Sequence, residues 1–238
     1  MTALPPRCAG CTCEAPAVTE PQFAVVAHGQ PGNPGVLQPE LEALAARVTA
    51  RLGAPVAGAT LACPRSLAAL RGVRAIYPLF MAGGWFVNSE MPRRLTAAGV
   101  EGYAVLPPLG FDPALPALGA DLARAAAATA GLDPAETTLV VVGHGSSKSS
   151  ASADATRAFA AALPPGFARV LTVFLEEPPH LADVAPDGPA VCLPFFATNG
   201  SHTTDDIPAE WGDRGPLTPA IGTTDAIPAL IAAALGRA

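Results

Sequence analysis

Hydrophobic positions along the chain fall into two alternating kinds of run. Short stretches with little polar interruption, Phe23–Ala27, 74–80, 140–142, Arg169–Phe174 and 190–196, have the length and β-branched content of strands. Between them lie longer Ala- and Leu-rich stretches whose apolar residues recur every three or four positions. These predict helices over residues 39–52, 113–130, 151–163 and 225–235. Asp112 and Asp225 stand where N-caps are expected, and Pro113 suits a first helical turn. The 27 prolines and 23 glycines fall mostly at the ends of apolar runs, so they punctuate elements and do not mark low complexity. Near-continuous apolar strands alternating with helices predict an α/β protein whose parallel sheets are covered by helices on both faces.

The pattern occurs twice. Phe23-Ala-Val-Val-Ala-His28-Gly29 has a counterpart in Leu139-Val-Val-Val-Gly-His144-Gly145, and the two histidines are 116 positions apart. The same offset relates Pro78-Leu-Phe-Met to Pro194-Phe-Phe-Ala, and Glu90-Met-Pro92 to Asp206-Ile-Pro208. A third pair, Pro107-Pro-Leu-Gly110 and Pro219-Ala-Ile-Gly222, is offset by 112. Three matches in one order at nearly one spacing indicate an internal repeat. The reading is two related Rossmann-like lobes, 21–132 and 133–238, preceded by a Cys- and Pro-rich tail, 1–20.

Composition narrows the class. The 238 residues are 50% hydrophobic and 14% charged, enough for buried cores and unlike a disordered chain. The net charge of -6, with no basic patch, argues against a nucleic-acid partner. No run of 18 apolar residues occurs, so no membrane span is expected. The N-terminal stretch lacks an apolar signal core and a basic leader, and the expected compartment is the cytoplasm. Five cysteines are too unevenly placed for a disulfide framework. Cys8, Cys11 and Cys13 sit together as Cys-x-x-Cys-x-Cys, a spacing open to three readings: part of an iron–sulfur cluster with Cys63 as a fourth ligand, transfer of soft metal ions, or no role. Cys192 lies inside a predicted buried strand and reads as core.

Candidate chemistry gathers where strands end. Open parallel sheets bind ligands beyond the carboxyl ends of their strands, and His28 and His144 each close a strand there. In the segment from Leu193 to Pro208 an apolar strand runs into a Gly200 turn, then His202, then Asp205 and Asp206. A helix opening near Thr203 puts both aspartates at its positive end and His202 on the rim shared with His144. Two imidazoles facing a cleft bind a divalent metal or accept protons, and neighbouring carboxylates add charge and basicity. Capping is the alternative role for the aspartates. His180 follows a strand and reads as a loop or helix-start residue. Neither histidine is flanked by Arg, no Gly-x-Ser-x-Gly elbow occurs, and no Gly-x-Gly-x-x-Gly opens a helix, which disfavours hydrolase and dinucleotide-binding readings.

Gly143-His144-Gly145-Ser146, and the spacing of Pro194, Gly200, His202 and Asp206-Ile-Pro208, resemble the class II chelatases of tetrapyrrole synthesis. Phe174-Leu-Glu176 and the Pro-x-x-Gly turns fit the same pattern. The resemblance runs from Phe23 to the C-terminus in two copies. It implies ATP-independent insertion of Co²⁺ or Fe²⁺ into sirohydrochlorin or a close relative, with no membrane partner, by a monomer or homodimer. It places metal binding on His144 and His202, proton relay or charge neutralisation on Glu176, Asp205 and Asp206, and substrate contacts on His28, Phe86, Ser146 and Gly200. The first half departs from the pattern, because Phe86 stands where the offset places a second histidine. Phe86 and its neighbour Trp85 suit stacking on a macrocycle or core packing alike. Arg65, Arg71, Arg93, Arg94 and Lys148 are sources of positive charge for substrate carboxylates, or solvated surface residues. The rival within the same fold is a tetrapyrrole or metal carrier without catalysis.

Overall fold

The computed structural model describes residues 18, 20–30, 32, 33 and 35–238. Cys8, Cys11 and Cys13, and with them the proposed cluster, lie outside the described residues. The chain divides into two compact units. One comprises the described residues up to Pro108 together with Ala226–Ala238, and the other is Leu109–Asp225.

In the first unit, four parallel strands, β1 (Phe23–Ala27), β2 (Val56–Thr60), β3 (Ala75–Pro78) and β4 (Ala104–Val105), lie in the order β2-β1-β3-β4. Register is set by Phe23 opposite Val56 and Ala75. Alternate residues Ala24, Val26, Ala57, Ala59 and Ile76 point to one face. There they pack on Leu67 and Leu70, and on Met91 and Leu95, from the segment holding helices α2 (Pro64–Ala68) and α3 (Met91–Ala97). Helix α1 (Gln38–Leu52) buries Leu41, Ala45 and Val48 and packs against β1, β2 and the last helix of the chain. Burying each Leu or Ile in such a core contributes about 1.5–3 kcal/mol.

The second unit repeats the plan with three parallel strands, β5 (Thr138–Gly143), β6 (Arg169–Phe174) and β7 (Ala190–Pro194), in the order β6-β5-β7. Leu217 makes a parallel bridge to Cys192 at the edge, where β4 stands in the first unit. Helices α4 (Leu115–Thr129) and α5 (Ala151–Ala161) contact each other, and they pack on β7 and on β5 and β6 respectively. Val140, Val142, Val173 and Cys192 form a core with Ile207 and Trp211 of helix α6 (Ile207–Trp211).

Two sequence expectations are corrected. Strands β2 and β4 went unpredicted: β2 reads Val-Ala-Gly-Ala-Thr and lacks a strong apolar run, and β4 is only two residues long. The helices expected at Pro113 and Asp225 begin at Leu115 and, for α7 (Ile227–Leu235), at Ile227. Asp112 forms a local turn by accepting from the Ala114 amide at 3.0 Å. The unit boundaries also differ from the repeat boundary at 132/133. Helix α4 closes the first repeat yet belongs to the second unit, and α7 closes the second repeat yet packs on α1 and β3 of the first. Both helices are Ala- and Leu-rich and bear a proline at their first turn, so their sequences fit either sheet. None of the helices among the described residues is long and apolar enough to cross a membrane.

Candidate functional site

Strand β5 ends at Gly143, and the chain leaves the sheet through His144 and Gly145. Gly145 has a φ of 72°, and an added Cβ would lie 2.9 Å from the Phe174 Cβ and 2.8 Å from the Glu177 Cγ. Only glycine fits this turn, which holds His144 at the sheet edge. The loop after β6 receives it. The Glu176 amide donates to the His144 carbonyl at 2.9 Å, and the Ser146 amide donates to Glu177 Oε2 at 3.1 Å. Glu177 also lies 3.5 Å from the Arg157 guanidinium, which sits over the Phe174 ring.

His202 arrives from the end of β7. The Gly200 carbonyl accepts from the Thr203 and Thr204 amides, closing a turn that opens a π-helical segment, His202–Asp206, which runs directly into α6. The two imidazoles meet edge to face, with ring centroids 4.8 Å apart and planes at 88°. Phe196 stands 6.3 Å from each ring.

The Nδ1 atom of each histidine is already engaged. His144 Nδ1 faces the carbonyl of Gly145 at 2.9 Å, and His202 Nδ1 faces Asp206 Oδ2 at 2.7 Å. An oxygen acceptor assigns the proton to Nδ1 and leaves the lone pair on Nε2. A carboxylate behind an imidazole is the usual outer partner of a metal-binding histidine, fixing its tautomer and raising its basicity. The arrangement thus presents two Nε2 donors with one carboxylate behind them. No group of three or more His, Cys, Asp and Glu side chains able to hold a metal ion occurs among the described residues.

The site residues read from the sequence divide accordingly. His144, His202 and Asp206 come together, Ser146 forms the loop next to His144, and Gly200 forms the turn before His202. Asp205 and Glu176 are exposed, without a side-chain hydrogen bond or ion pair among the described residues. Sequence reasoning missed Glu177. In Phe174-Leu-Glu-Glu both acids follow the strand, and only the structure shows that the second one turns back onto the His144 loop. His180 is half-buried, with Nδ1 3.3 Å from the Leu175 carbonyl.

The first unit carries the same frame with other contents. Gly29 follows His28 at a φ of 73°, and His28 Nδ1 is 2.5 Å from the Gly29 carbonyl. A π-helical segment, Phe86–Glu90, precedes α3, and the Phe86 ring meets His28 edge to face at 4.2 Å. Trp85 is 60% exposed and touches Phe86 at 5.1 Å. Glu90, at the position of Asp206, is buried and receives two hydrogen bonds from Arg93 at 2.8 Å and one from Arg94 at 2.5 Å. Arg93 and Arg94 hold its carboxyl down at about 2. Cys63 is buried, with Sγ accepting from the Ser66 amide at the start of α2, and burial pushes the Cys192 thiol far up.

The chain is 46% identical to the CbiX described as the terminal enzyme for biosynthesis of siroheme in denitrifying bacteria. That match covers 91% of this chain and 99% of the other, with a TM-score of 0.82. The chain belongs to the CbiX family of class II chelatases. The CbiX family model matches residues 138–237, the half that holds both histidines of the pair. Two more distant structures share the CbiX fold. SirB from Bacillus subtilis, solved with Fe3+, is 16% identical over 90% of this chain and 93% of its own, with a TM-score of 0.71. A multi-domain protein from Deinococcus radiodurans with structural similarity to chelatases is 21% identical over 90% of this chain and 54% of its own, with a TM-score of 0.62. No curated protein matches the chain.

Proposed function

We propose that the chain inserts a divalent metal ion, Co²⁺ or Fe²⁺, into sirohydrochlorin or a closely related tetrapyrrole without ATP, and that His144 and His202 carry the transfer. The observation that supports this most directly is the pairing of the two imidazoles at 4.8 Å with both Nδ1 atoms already engaged. Two nitrogen donors suit a borderline divalent ion and leave most of its coordination sphere open to the pyrrole nitrogens.

The charges balance. The ion enters as M²⁺, and two pyrrole N–H groups each release one proton. As the ion leaves an Nε2 lone pair for the ring, that lone pair becomes free to take a departing proton. Asp206 then faces a protonated His202 across 2.7 Å and stabilises it as a charge-assisted pair. Glu176 and Asp205, exposed and unpaired, are assigned to neutralising the incoming ion and passing protons to solvent. Ser146 and Gly200 shape the rim near the pair, and His28 and Phe86 offer the substrate an imidazole and an aromatic face in the first unit.

The test is anaerobic absorbance of sirohydrochlorin mixed with Co²⁺ or Fe²⁺ and protein, beside a His144→Ala plus His202→Ala variant. The metal-free spectrum should convert rapidly with the native chain and at the background rate with the variant. Equal rates for the two proteins would reject the assignment and favour a carrier of the same fold.

A further inference from the structure

The first unit holds a cavity of about 390 Å³, lined by Leu61, Leu67 and Ala97 among other apolar groups and by Arg71, Arg93 and Arg94. Its size falls within the range of sites for small organic ligands. Its lining runs from Leu61 and Pro64, just after β2, along α2 and α3 to Arg71 and Ala98, which precede β3 and β4.

Its charge is unbalanced. Among the described residues, no acidic side chain lines it, and the one carboxylate bound to its arginines is that of Glu90. Three guanidiniums against one carboxylate leave two positive charges. Donors remain as well. A guanidinium has five N–H groups. Arg71 uses one on the Ala98 carbonyl at 3.0 Å, and Arg94 uses one on the Leu61 carbonyl at 2.6 Å besides its bond to Glu90. Glu90 and these carbonyls hold Arg94 and Arg71 in place, so a ligand meets donors already oriented. The matching positions of the second unit, Ala209 and Glu210, carry no such charge.

We propose that this cavity binds a carboxylate group borne on an apolar stem. Planar forked donors match a planar carboxylate, and the Leu, Pro and Ala lining suits a short hydrocarbon stem more than a fully hydrated inorganic anion. Two sources share that chemistry: a free organic acid, and a carboxylate side arm of the tetrapyrrole. The second source rests on the metal-insertion reading, whereas the first does not.

Equilibrium binding separates these sources without requiring turnover. Glutarate, inorganic phosphate and metal-free sirohydrochlorin are titrated into the native chain and into Arg71→Gln, Arg71→Lys, Arg93→Gln and the surface control Arg124→Gln, each checked by its melting curve. Arg71→Gln and Arg93→Gln should weaken the bound probe by about tenfold or more, the scale of a lost charge-assisted hydrogen bond. Arg71→Lys should lie between native and Arg71→Gln, and Arg124→Gln should match native. An effect on glutarate identifies a free acid, and an effect on sirohydrochlorin alone identifies the side arm. Binding of glutarate and sirohydrochlorin that is indifferent to Arg71 and Arg93, or phosphate bound through those arginines more tightly than both glutarate and sirohydrochlorin, would overturn the proposal.

Discussion

Asp206 and Glu90 stand at one position of the two repeats, each at the end of a π-helical segment that feeds a helix with a proline at its first turn. Asp206 is half exposed and faces the ring of a histidine four residues earlier. Glu90 is buried and faces two arginines that follow it. The backbone is shared, and the partners of the acid differ at three positions: Phe86 for His202, Arg93 for Ala209, and Arg94 for Glu210. A carboxylate behind an imidazole raises its basicity, whereas the same carboxylate behind two guanidiniums becomes a structural anchor. The two repeats thus share one frame, and the partner of one acid distinguishes them: an imidazole in the second unit, two guanidiniums in the first.

The strongest way to break this comparison is to remove its defining ring. His202→Ala should lower the metal-insertion rate by about 10²- to 10⁴-fold, the range for a positioned acid–base group, followed by the change in tetrapyrrole absorbance. The melting temperature should hardly move, because the side chain is partly exposed and packs in no core. Asp206→Asn keeps the shape and loses the charge. It should weaken Co²⁺ binding or slow insertion by about 10–100-fold, measured by equilibrium dialysis and by rate. Phe86→His tests the converse. It should add a second Co²⁺ site weaker than the first by about 10–100-fold, because Glu90 is held by Arg93 and Arg94 and cannot back the new imidazole.

The smallest effect on rate belongs to Glu90→Gln, which tests the anchor. The carboxyl titrates at about 2 in the folded chain, below its ordinary value of 4.5. Its contribution to stability is therefore present above pH 4.5 and is lost as the pH falls toward 2. The variant should melt below the native chain at neutral pH, and the two melting curves should converge on acidification.

The strands that carry the site were legible because β1, β5 and β7 are buried along their whole length and read as unbroken apolar runs. Phe23–Ala27 and Arg169–Phe174 have the bounds that periodicity assigns them. The His144–His202–Asp206 group was legible because a parallel sheet brings successive strand ends to one edge. The π-helical segments were not legible, since His-Thr-Thr-Asp-Asp has no feature that separates a π turn from an α turn. Glu177 was hidden for a related reason. Adjacent residues after a strand point in opposite directions, and the loop that follows decides which one returns. The allocation of α4 and α7 was hidden because amphipathic Ala-rich helices fit either sheet.

The most direct test of the contrast between the units compares His28→Ala with His144→Ala, the two strand-end histidines at one repeat position. Steady-state kinetics with sirohydrochlorin and Co²⁺ should show a raised KM with kcat within about threefold of native for His28→Ala, as expected for loss of uniform binding. His144→Ala should lose kcat by about a hundredfold or more. A kcat that falls equally in the two variants would contradict the placement of metal transfer in the second unit.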